Sequence, residues 1–228
     1  MRLPYRFVAL VASCFAVIGL STPAIATSAG ATSWTVYDYN PSGQALAPRV
    51  SPGSSPATIS GGTVSFQFLA DTYTALLTTN DKSLTGDLSG KTLSDRVSVT
   101  GMSPDAVFQD QNNGGCLPDN QSVRLYFTSP QAAGTTGFFT QFWWSNPASL
   151  TLTNDVSGTI IASLDPSQWS DWNGHEANFS PEVTAAFITA SQNVQTVGLS
   201  FGGGCFFENG VTTSDGSGIF SSQFSESP

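Results

Sequence analysis

The stretch WSDWNGHE, Trp169 to Glu176, places two tryptophans three residues apart, with Asp171, Asn173 and the chain's sole histidine, His175, among them. Such a set suits a sugar. Indole faces stack on the apolar side of a pyranose, and carboxylate or amide groups read its hydroxyls. Trp143-Trp144 is a second pair. Successive strand residues point to opposite faces, so one ring enters the core and the other is left at the surface or a sheet edge. The expected ligand-binding residues are therefore Trp169, Trp172, Asp171, Asn173 and Trp144. The competing reading is structural: Trp169 and Trp172 cover the edge of the core and hold down the helix that follows.

A nucleophile is the next possibility. Gly198-Leu199-Ser200-Phe201-Gly202 has the G-x-S-x-G spacing of a hydrolase elbow. An elbow needs a strand that ends at the serine and a helix that follows. Here Val197, Leu199 and Phe201 alternate with Gly198 and Ser200, so a strand runs through the serine. Gly202-Gly203-Gly204 comes next, a poor helix start, and His175 precedes Ser200. No catalytic residue is assigned. Ser200 is expected on the outer face of a strand or under a second sheet, with the glycines admitting a bulge or another backbone. Parity carried through the glycines would put Gly203, Cys205 and Phe207 on the inner face.

A glycosidase would need two opposed carboxylates. Glu182 caps a helix and Glu226 lies in the tail, which leaves Glu176 and Glu208, with Asp171 as a third, as the acids to test. Their surroundings are rich in Gly and Asn, and their plain reading is as solvated loop acids. Asp171, Asn173, Glu176, Asp215 and carbonyls near Gly216 are calcium-type ligands, but D-x-N-G matches only part of an EF-hand loop. No cofactor is expected.

The elements that must carry these residues are mostly strands. Val64, Phe66 and Phe68 alternate with polar residues, as do Val123, Leu125 and Phe127. In Lys91 to Thr100, Asp95 shares the face of Leu93, Val97 and Val99, which reads as an edge strand with a bulge, or else as a paired or ligand-facing carboxylate. Phe138 to Trp144 is aromatic on both faces, the pattern of a central strand. Leu150 to Thr153 and Thr159 to Leu164 read as a hairpin. One helix is signalled by Ser180 as cap, Pro181 and Glu182 in the first turn, and the stripe Val183, Ala186, Phe187, Ala190. Strands of this number and spacing predict an all-β, two-sheet antiparallel sandwich with one short helix.

Residues 1–26 read as an export leader: Arg2 and Arg6, an apolar run to Leu20, then Ala24-Ile25-Ala26 as a small-x-small cleavage site. Residues 27–62, rich in Pro, Ser and Gly, read as an extended segment with one strand near Trp34, and 63–228 as the sandwich domain. The chain carries 7 Lys+Arg against 16 Asp+Glu, and without Arg2 and Arg6 the balance is 5 against 16, a net of −11. Phosphate backbones and anionic membranes repel such a surface, so neither nucleic acid nor membrane is an expected partner. A glycan or other extracellular polymer is.

The order SLDPSQW, then a helix running into AAFITASQNVQTVGLSFGGG, resembles the C-terminal half of laminin B-type domains, with Trp169, Phe187, Asn193, Val194, Val197 and Leu199 matching their cadence. The resemblance covers about a third of the chain. It implies a jelly-roll sandwich of the galactose-binding or carbohydrate-binding-module kind, and no catalytic residue. FWWSNP and FGGGCFFENGV fall outside that pattern and more closely resemble uncharacterised secreted bacterial proteins.

Cys14 leaves with the leader, so Cys116 and Cys205 remain, an even pair in an exported chain. They are expected to form one disulfide that closes a long loop. The unreduced mature protein should weigh two hydrogens less than the dithiol by intact-mass spectrometry. Free thiols in the folded exported protein would contradict the pairing.

Overall fold

A computed structural model describes residues 31–51, 57–111, 120–130, 138–203 and 206–228. The strands are β1 (Trp34–Tyr39), β2 (Arg49–Ser51), β3 (Thr58–Ser60), β4 (Thr63–Gln67), β5 (Tyr73–Thr79), β6 (Thr92–Thr100), β7 (Phe108–Asp110) and β8 (Ser122–Thr128). They continue with β9 (Phe142–Ser145), β10 (Leu150–Thr151), β11 (Ser157–Ser163), β12 (Trp169–Ser170), β13 (Thr196–Gly202), β14 (Val211–Thr213) and β15 (Ile219–Ser227). The single α-helix, α1, spans Pro181–Ser191. The leader, and both Cys116 and Cys205, lie outside the described residues.

The chain is an all-β sandwich of two antiparallel sheets. The larger has the order β12-β9-β8-β13-β5-β1-β2, with β10 beside β8 and β14 beside β5 and β7. The smaller has the order β11-β6-β15-β4-β3. Between them lie Val36, Leu77, Leu125, Phe127, Leu199 and Phe201 from one sheet and Phe66, Leu93, Val97, Val99, Phe220 and Phe224 from the other, all buried. Each large ring removed from water contributes about 2–3 kcal/mol, which makes this layer the main source of stability. α1 closes one end: Ser180 accepts a hydrogen bond from the Val183 N–H, and Phe187 packs 5.0 Å from the Trp143 ring and 6.0 Å from Phe127.

Several expectations change. The segment 27–62 is no detached arm, since β1 pairs with β5, and β3 pairs with β4 across residues 61 and 62. At its start Arg49 forks onto Asp38 through Nε at 2.7 Å and Nη2 at 2.8 Å, while Nη1 donates to the Gln67 carbonyl. The pair is buried, and Thr74 also donates to Asp38, so the charges are satisfied inside the sandwich. The expected hairpin at 150–164 is absent. β10 joins β8 in the large sheet while β11 joins β6 in the small one, so the link crosses between sheets. Phe138 to Trp144 is not one central strand. A 3-10 turn occupies Phe138–Gln141, and only the two-residue β12 lies beyond β9. In β9 Trp143 and Trp144 point to opposite faces and both are buried, so both faces of this strand are covered.

Asp95 is neither on an edge nor at a bulge. β6 runs between β11 and β15 in unbroken register, and Asp95 is fully buried, accepting from Ser222 Oγ at 2.6 Å and from the Gln223 N–H at 3.0 Å. Burial raises its pKa to about 8 against the opposing pull of those two bonds. A raised folded-state pKa favours the neutral form. The associated stability is complete below the unfolded pKa of about 3.9 and drains away as pH climbs through about 8. Asp95→Asn keeps the group neutral and both hydrogen bonds possible. The melting temperature of the native protein should therefore fall between mildly acid and mildly alkaline pH, by the equivalent of at least about 1 kcal/mol, and that of Asp95→Asn should not. Parallel pH profiles would show that Asp95 ionises freely.

Candidate functional site

The outer face of the large sheet holds a second aromatic layer. Register places Trp144 beside Tyr126, Tyr126 beside Gly198, and Gly198 beside Thr78. Gly198 has no room for more: a Cβ there would lie 2.0 Å from the Leu77 carbonyl oxygen. Trp144 sits 5.3 Å from the Tyr126 ring, 5.7 Å from Trp172 and 6.2 Å from Phe207. Its partner Trp143 points the other way, into the core, as strand parity requires.

Residues 206–210 fold back over β13 and complete this layer. Gly203 and Phe206 form an isolated bridge, and the Gly210 N–H returns to the Phe201 carbonyl at 3.0 Å. Two glycines permit the approach. A Cβ on Gly202 would fall 2.3 Å from the Phe206 carbonyl oxygen, and one on Gly203 2.5 Å from an Asp110 carboxylate oxygen. Asn209 pins the loop, its Oδ1 accepting from the Gly203 N–H and its Nδ2 donating to the Gln111 carbonyl. Because the chain reverses after β13, Phe207 lies on the outer face rather than in the core, where the guanidinium of Arg124 stacks 4.4 Å over it.

Ser200 is buried beneath this loop. Its hydroxyl donates to the Phe207 carbonyl and accepts from Trp144 Nε1 at 3.0 Å. Ser200 lies in mid-strand on the outer face of its sheet, with the loop rather than the other sheet as its cover. His175, the one histidine, is occupied elsewhere: it stacks on Phe179 at 4.5 Å and lies 3.5 Å from Asp171.

Asp171 shapes the opposite wall. It is buried, and its Oδ1 accepts from the N–H groups of Asn173 and His175, both at 2.9 Å, while its own N–H donates to the His175 carbonyl. This is an Asx-type turn, with Gly174 at a φ of 77°. It thrusts Trp172 out to 42% exposure. Between this turn and the 206–208 segment lies a pocket of about 250 Å³, bounded by Trp144, Asp171, Trp172, Asn173, Gly174, Phe206, Phe207 and Glu208.

Of the five expected ligand-binding residues, four line this pocket. Trp169 does not: it is fully buried, packs 4.9 Å from Phe127, and donates its indole N–H to the Ser163 carbonyl. The two tryptophans three apart thus divide, one to each side of β12's end. Phe206 and Phe207 are additions that the sequence signalled only by the FFEN string after the glycines. Glu208 is no solvated loop acid. It is half-buried, and burial raises its pKa to about 7. Its charge in turn helps to raise the pKa values of Tyr39 and Tyr126, where burial is the larger cause. Glu176 is exposed and does not line the pocket, so the acid that shares it with Glu208 is Asp171. Among the described residues no group of three or more His, Cys, Asp or Glu side chains is placed to hold a metal, and Asp215 bonds instead to Ser217.

No protein-family profile matches this chain, and no curated protein or solved structure gives a significant match to it.

Ser200→Ala removes the partner of two shielded groups, Trp144 Nε1 and the Phe207 carbonyl. It should destabilise the fold by about 1–3 kcal/mol in denaturant unfolding. It should also leave a fluorophosphonate probe as unreactive as it is with the native protein. Stoichiometric labelling of native Ser200 would restore the nucleophile and refute the structural role.

Proposed function

We propose that this chain is a secreted, non-catalytic module that binds carbohydrate in the pocket between residues 171–174 and 206–208. One observation carries the reading. Two outward aromatic rings, Trp172 and Phe206, at 42% and 43% exposure, stand beside a pocket floored by Trp144 and edged by Asn173, Asp171 and Glu208. Exposed rings are costly to keep in water unless something covers them, and a pyranose offers both the apolar face to stack and the hydroxyls to bond. A pocket of about 250 Å³ has room for part of a polymer, such as one sugar unit. The leader read in residues 1–26 and the resemblance to laminin B-type domains support the same assignment.

A second reading, glycoside hydrolysis, is favoured by one feature. Glu208, in apolar surroundings with a pKa near 7, shares the pocket with a second carboxylate, Asp171, that is held by backbone donors. A carboxylic acid whose pKa is raised by burial, with a second carboxyl group in the same pocket, is the kind of arrangement that acid-catalysed glycosyl transfer uses.

The test is retention on a panel of polysaccharides and on a glycan array. The native protein should be retained on at least one glycan. Trp172→Ala should lose that retention while the protein stays folded, with a lowered melting temperature because the ring also packs on Trp144 and Phe142. Absence of retention on every glycan would refute the binding reading. Hydrolysis abolished by Glu208→Gln, with binding kept, would establish the second reading.

A further inference from the structure

Resting on the carbohydrate reading, we propose that the pocket over Trp144 selects a sugar that carries a free ammonium group, so that its ligand is a glycan of unacetylated amino sugars. The lining combines two carboxylates, Asp171 and Glu208, with four aromatic rings, and it contains no Lys or Arg among the described residues. Glu208 forms no ion pair with any described cation. Neutral hydroxyls would leave an ionised Glu208 desolvated and without counter-charge, an expensive state. An ammonium group removes that cost. It pairs with the carboxylate and presents its remaining N–H and C–H flanks to the ring faces of Trp172, Trp144 and Phe206, an attraction of about 0.5–2 kcal/mol for each well-placed ring.

The surroundings enforce the choice. Asp171 is held in its own turn, Oδ1 on the Asn173 and His175 N–H groups and Oδ2 3.5 Å from His175 Nδ1, so it contributes a fixed acidic wall to the pocket while Glu208 supplies the acceptor. A neighbouring cation, Arg124, is drawn off to the Ser145 carbonyl at 3.0 Å and to the Phe207 ring, and it lines the adjoining pocket with Asn120, Ser122 and Gly203 rather than this one. At a longer range the chain's formal net charge of −9 attracts polycations and repels acidic glycans. An N-acetyl group in the same place would offer neither the charge nor, at the amide nitrogen, the donors that two carboxylates can accept.

Isothermal titration calorimetry at near-neutral pH, where Glu208 with a pKa of about 7 is substantially ionised, distinguishes the outcomes. The probes are β-1,4-linked hexamers of glucosamine, N-acetylglucosamine and glucose, with choline as a permanently charged small cation. The glucosamine hexamer should bind about tenfold more tightly than either neutral hexamer. Glu208→Gln should erase that preference, bringing the glucosamine hexamer down to the affinity that the same variant shows for the neutral hexamers. The ranking on the native protein stands by itself, should the variant fold poorly. Neutral hexamers that bind as tightly as the glucosamine hexamer would overturn this inference and leave the carbohydrate reading intact. Binding of choline without any hexamer would overturn the carbohydrate reading and the amino-sugar assignment with it. Binding of none of the four would overturn both.

Discussion

The outer face of the large sheet depends on how closely residues 206–210 approach β13. Backbone meets backbone there. Gly202 lies under the Phe206 and Phe207 carbonyls, and Ser200 and Gly210 tie the two segments together. A side chain at residue 202 would push the loop away from the sheet. Phe207 would then leave Arg124 and Trp144, the indole N–H of Trp144 would lose the hydroxyl that Phe207 holds in place, and Glu208 would return to water. The G-x-S-x-G spacing that imitates a hydrolase elbow is thus the signature of a different requirement. Small residues on one face of a central strand let a loop lie flat on it.

Two carboxyl groups with raised pKa values show how differently one chain can house an acid. Asp95 is sealed between the sheets with two donors aimed at it, so it acts as a neutral hydrogen-bonding group of the core. Glu208 is only half-buried, beside aromatic rings, and its carboxyl group is bonded by its own backbone. The first lies in the core. The second lines the pocket.

The architecture was legible in the alternation of apolar residues, because a two-sheet sandwich needs little more than period-two patterning and enough turns. The helix was legible to the residue at its start, since Ser180, Pro181 and Glu182 each answer a specific need of a helix N-terminus. The site was half legible. Trp172, Asp171 and Asn173 lie within one turn, and local chemistry reveals a turn. Their separation from Trp169 was hidden, because it depends on which face of β12 meets the core. The partnership with Phe206 and Glu208 was hidden as well, because it is made across the sheet by a reversal of the chain. Asp95 was misjudged for a related reason. Its face was plain from parity, but the donors that make burial tolerable come from Ser222 and Gln223, more than a hundred residues away in the sequence.

The position of β15 has a consequence for how this molecule is made. Residues 219–227 slot between β6 and β4, so the two halves of the small sheet have no contact through hydrogen bonds until that strand arrives. Every earlier stage leaves β6 and β4 with an open flank of unpaired N–H and C=O groups, the kind of flank that recruits strands from other chains. The pairing that heals it is long-range, and long-range strand insertion is slow.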